Sequence, residues 1–86
     1  MVVVSLSHDD KLVLIQYAIE KYDSEKVLKE KLAGILVPKD IERGIDTLIG
    51  TQRVRRIGPE TIQNNKSAMG ELPELPDHLK PMVDAL

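Results

Sequence analysis

The chain contains no cysteine, no phenylalanine and no tryptophan. Without thiols it can form neither disulfides nor thiolate metal sites, and it has no cysteine nucleophile. Tyr17 and Tyr22 are its only aromatic residues, so the stacking platforms that hold single-stranded bases are missing. Long apolar runs are missing too. Nothing approaches the roughly 20 residues of a bilayer-crossing helix, and Met1-Val2-Val3-Val4-Ser5-Leu6 lacks the basic and hydrophobic regions of a signal peptide. A cytoplasmic protein is expected, with no membrane partner. An excess of positive charge is also lacking: 12 Lys and Arg stand against 14 Asp and Glu, a net of −2. That balance disfavours a general polyanion binder.

What remains is 86 residues, 42% of them apolar and mostly Leu, Ile and Val. This is enough for one domain with an aliphatic core. The charge is unevenly spread. Glu71, Glu74, Asp77 and Asp84 against Lys80 give the last stretch −3, leaving +1 for the rest.

The first helix has a legible start. Ser7 with Asp10 three residues on resembles a capping box, and Asp9 favours the positive helix end. Leu12, Leu14, Ile15, Ala18, Ile19 and Tyr22 follow in one broad stripe. Val13 and Tyr17 sit four apart on the opposite face. They are expected either to lie under Val2–Val4, to meet a partner, or to be covered by the end of the chain. A second helix is expected from the N-cap Ser24 to Gly34, burying Val27, Leu28, Leu32 and then Ile35, with Lys31 snorkelling at the edge. A third opens at Pro38, suited to a first helical position. Ile41, Ile45, Leu48 and Ile49 give its buried side. Gly44 costs about 1 kcal/mol there, and close approach of a neighbouring helix accounts for it.

The period then changes. Gln52–Ile57 reads as a short strand, Gly58-Pro59 as a turn and Glu60–Gln63 as the return. Residues 64–67 read as a loop. From Gly70, prolines 73, 76 and 81 favour extended backbone, with at most one or two helical turns after Lys80. The expected architecture is mostly α with a small β-hairpin, an α+β winged helix-turn-helix of three helices plus wing. It divides into an extended segment (1–6), the winged-helix domain (7–66) and a proline-spaced acidic tail (67–86).

Over Val37–Ile49 and Arg53–Ile57, and back through Ile15–Ile19, about half the chain resembles winged-helix domains, small archaeal ones among them. The same residues look like the C-terminal winged helix of cullins. That likeness implies a ubiquitin-like-modifier setting, but the lysine modified in cullins falls at Ser24 here, so ligase function is not carried over.

His8 and His78 read as surface histidines, and no phosphate loop or nucleophile motif is present. No catalytic residue, cofactor, metal or small-molecule substrate is therefore expected. Two binding functions are. In the leading one the chain is a non-catalytic accessory or adaptor subunit holding a larger protein of a replication or transcription complex. Val13, Tyr17, Leu72, Leu75, Leu79 and Met82 are its contact residues, because proline-spaced leucines suit a partner's groove. In the other it regulates transcription by binding double-stranded DNA. Lys39, Arg43 and Thr47 then lie on the third helix, and Arg53, Arg55, Arg56 and Lys66 contact phosphates from the wing. Asp40 and Asp46 oppose that reading by repulsion, and pairing of the arginines with Glu42, Asp46 or Glu60 would remove it.

Overall fold

The computed structural model describes residues 6–86, Ala68 and Met69 by their backbone alone. The expected cover of Val13 and Tyr17 by Val2–Val4 lies outside the described residues. The fold is mostly helical, with one small two-stranded antiparallel sheet.

Helix α1 (His8–Lys21) starts as its sequence dictates: the Ser7 side chain accepts from the Asp10 amide and the Asp10 carboxylate from the Ser7 amide. Helix α2 (Glu25–Leu32) is capped in position by Ser24, but the hydroxyl makes no cap hydrogen bond. Lys31 lies with its Nζ 5.7 Å from the Tyr22 ring centroid. Helix α3 (Pro38–Gly50) opens on its proline and buries Ile41, Gly44, Ile45 and Leu48. Gly44 faces α1. A Cβ there would collide with Ile15 Cδ1, so the missing side chain sets how closely the two helices approach.

Strands β1 (Val54–Arg56) and β2 (Ile62–Asn64) pair Val54 with Asn64, Arg55 with Gln63 and Arg56 with Ile62. Both strands are shorter than expected, and the second begins later. The Ile57 and Gly58 amides both donate to the Thr61 carbonyl, which lengthens the turn past Gly58-Pro59. The hairpin has a third participant. Ser24 bridges Thr61, the Ile62 amide donates to Asp23 and the Glu25 amide to Glu60, so the link between α1 and α2 lines the far edge of β2. A single turn of helix, α4 (Lys66–Met69), replaces the expected loop, and Gly70 follows at φ +80°.

One aliphatic cluster joins α1, α2, α3 and the hairpin through Leu12, Ile15, Ile19, Leu28, Ile41, Leu48, Val54 and Ile62. A second lies on the other side of α1. There Leu14, Leu79 and Val83 are buried, and Val13, Tyr17, Leu75 and Met82 pack around them. The C-terminal stretch is therefore not a free extended tail. Residues 70–79 form a strap that returns along α1 and ends in helix α5 (Lys80–Asp84). Burying a Leu and a Val contributes about 3–6 kcal/mol, whereas each exposed ion pair adds about 1 kcal/mol or less. Apolar burial holds the strap down, and its polar contacts fix where it lies.

Candidate nucleic-acid interface

The core stripe of α3 leaves Lys39, Arg43 and Asp46 on the opposite, exposed side, with Thr47 half-buried beside them. Lys39 and Arg43 have no ion-pair partner among the described residues. Arg43 borders a shallow hollow with His8, Lys11 and Asp40. On the hairpin, Val54 and Ile62 turn into the core while Arg55 and Gln63 share the other face. Arg53 and Arg55 are exposed and likewise unpaired among the described residues.

Of the acids that opposed a nucleic-acid contact, Asp40 accepts from Lys11 at 2.9 Å, whereas Asp46 is exposed and forms no ion pair among the described residues. Glu42 lies 3.4 Å from Lys29. Among the described residues Lys39, Arg43, Arg53 and Arg55 are four unpaired cations on α3 and the wing.

Two residues expected in the phosphate-contact set are otherwise occupied. Arg56 reaches Glu25 on α2 at 2.9 Å and the Pro59 carbonyl at 3.2 Å. It lies on the same face of the hairpin as its register partner, buried Ile62, and is itself exposed. Its partner is therefore Glu25, not the Glu42, Asp46 or Glu60 that its neighbourhood in sequence suggested. That hydrogen bond is also the main reason the Glu25 carboxyl titrates below its ordinary value. Lys66 is held by Glu20 at 2.5 Å, and its hydrogen bond, with that of Asn64, lowers the Glu20 pKa.

The expected protein-contact residues have a different fate. Leu79 is fully buried, and Val13, Tyr17, Leu75 and Met82 pack in the same cluster. Leu72 is half-buried. The Tyr17 hydroxyl donates to the Pro73 carbonyl at 2.7 Å, Lys21 Nζ to the Val83 carbonyl at 2.8 Å, and His78 Nε2 lies 3.0 Å from Asp10. The groove suited to proline-spaced leucines is α1 of the same chain, so these residues do not form an open docking strip.

Sequence reasoning missed Gln16, Glu71 and Gln63. Gln16 is almost wholly buried; with Arg53, Glu71 and Pro73 it lines a hollow of about 240 Å³ at the root of the wing. Gln63 lines another with Glu20, Lys21 and Asp23. Only the alternation of the second strand could have placed Gln63 outward; nothing local marks the other two. Among the described residues no group of three or more His, Asp or Glu is positioned to hold a metal ion, and no helix is long and apolar enough to cross a membrane. No family model matches this chain, and no curated protein or solved structure matches it either.

Proposed function

We propose that this chain is a winged-helix protein that binds duplex DNA through α3 and the β1–β2 hairpin. The order of three helices and a hairpin, with the Ser24–Thr61 bridge as a rudimentary third strand, supports the fold reading. The observation that carries the function is the set of unpaired cations Lys39, Arg43, Arg53 and Arg55. Arg43 would address base edges, Lys39 and the two wing arginines phosphates. Two of the neighbouring carboxylates, Asp40 and Glu42, are paired with Lys11 and Lys29, while exposed Asp46 still opposes the contact. Fluorescence anisotropy with a labelled duplex tests this. Binding should fall steeply with salt, and Arg53→Ala with Arg55→Ala should weaken it at least tenfold. Equal binding by that double variant would remove the wing from the interface.

A second reading keeps the chain as an adaptor subunit of a replication or transcription complex. Exposed Val37 and Ile57 favour it, at 59% and 51% the large apolar residues left most open among the described residues. A partner held there should survive nuclease treatment and be lost with Val37→Ser and Ile57→Ser.

A further inference from the structure

The hollow at the root of the wing brings together charges of opposite sign from distant parts of the chain. Arg53, just before β1, and Glu71, at the start of the strap, both line it, with Gln16 and Pro73 as the other walls. Both are exposed, and neither has an ion-pair partner among the described residues. The placement of Glu71 is fixed on both sides. Upstream, α4 and the Gly70 turn bring it off β2; downstream, the bond from Tyr17 holds the Pro73 carbonyl. The other acids of the C-terminal stretch differ. Glu74 is exposed but does not line the hollow, Asp77 pairs with Lys80, and Asp84 ends α5, docked on α1 beyond buried Leu79 and Val83.

We propose that the strap is an intramolecular competitor of nucleic-acid phosphate, with the Glu71 carboxylate held beside Arg53 to weaken the grip of the wing root. This rests on the duplex-binding reading and adds regulation to it. A phosphate arriving at Arg53 meets the field of a carboxylate lining the same open hollow, a modest repulsion that salt screens. The competition is local and reversible: it lowers affinity without blocking α3, and anything that lifts residues 70–73 from the wing restores it. Tyr17 is then the positioning residue, since its hydroxyl sets where the strap passes.

The test uses the full chain and a labelled duplex, with affinity measured by anisotropy across a salt series. Glu71→Gln should bind about two- to fivefold tighter at low salt, the range expected of one charge near a surface. The gain should shrink as salt rises. Tyr17→Phe, which frees the Pro73 carbonyl but keeps the ring, should shift affinity the same way. Asp84→Asn carries the same change in net charge and should leave affinity unchanged. If wild type binds and Glu71→Gln binds no better, the competitor is overturned while duplex binding stands. Equal gains from Glu71→Gln and Asp84→Asn overturn it too, because net charge alone then accounts for both. If neither wild type nor any variant binds, the duplex reading fails and the competitor with it. Circular dichroism of each variant separates a folding defect from a binding effect.

Discussion

The Tyr17 hydroxyl donates to the Pro73 carbonyl at 2.7 Å, joining the middle of the first helix to a residue 56 positions later. Around that bond lie Val13, Leu75 and Met82, so one of the chain's two aromatic rings serves as the seat of its C-terminal strap. Loss of the hydroxyl leaves the Pro73 carbonyl short of a donor. Tyr17→Phe should therefore lower stability by about 1 kcal/mol in chemical denaturation. No change would mean that water replaces the hydroxyl at no cost.

Leu79 and Leu75 separate packing from proximity. Leu79 is wholly buried, whereas Leu75 is only half covered. Leu79→Ala should cost about 2–5 kcal/mol, and Leu75→Ala clearly less. Equal losses would show that the strap docks more loosely than its burial implies.

Gly44 sets two terms against each other. Alanine would regain about 1 kcal/mol of helix propensity, but its Cβ would meet the Cδ1 of fully buried Ile15, and overpacking costs about 1–3 kcal/mol. Gly44→Ala alone should destabilise. Ile15→Val removes the colliding methyl, so the double variant should be more stable than the sum of the two single changes. Strict additivity in thermal melts would dissociate the two residues.

The contact between Asp10 and His78 predicts a dependence on acid. Asp10 titrates below its ordinary value of 3.8, chiefly because His78 hydrogen-bonds its carboxylate, with the Ser7 cap helping. A depressed carboxyl contributes stability that is present above the unfolded value and lost as pH falls through the folded one. Melting temperatures of wild type and His78→Ala should therefore converge once the pH has fallen below the ordinary carboxylate range and separate above it. NMR titration of the Asp10 carboxyl should move toward 3.8 in the variant.

Duplex binding has a quantitative signature. Each phosphate neutralised contributes a slope of about −0.9 to the log–log salt dependence. Arg53→Ala with Arg55→Ala should reduce that slope by roughly 2. Arg56→Ala should change it little, because Glu25 already occupies that guanidinium; its effect should be on stability.

Helices α1 and α3 were legible because local chemistry fixes them, whereas the single turn α4 was not. Ser7 with Asp10 closes a capping box, Pro38 opens α3, and the spacing of Ile41, Ile45 and Leu48 names its buried side. The close approach at Gly44 was legible for the same reason. The Ser24–Thr61 bridge was not, since a single bridged residue has no period to display. The pairing of Arg56 with Glu25 depends on hairpin register, which the doubled use of the Thr61 carbonyl moves. The strap shows the deeper difficulty. Leucines spaced by prolines read the same whether their groove belongs to a partner or to α1. Only the position of Leu79 over Leu14 settles which groove they fill.

The strap also orders events in time. Helix α1 leaves the ribosome before the residues that cover its Leu14, because Leu79 and Val83 follow it in the chain. During synthesis one side of α1 can close against α2 and α3 while the other waits for Leu79 and Val83 to emerge. A nascent chain stalled before Leu79 displays that waiting side to chaperones, and the arrival of Leu79 and Val83 conceals it.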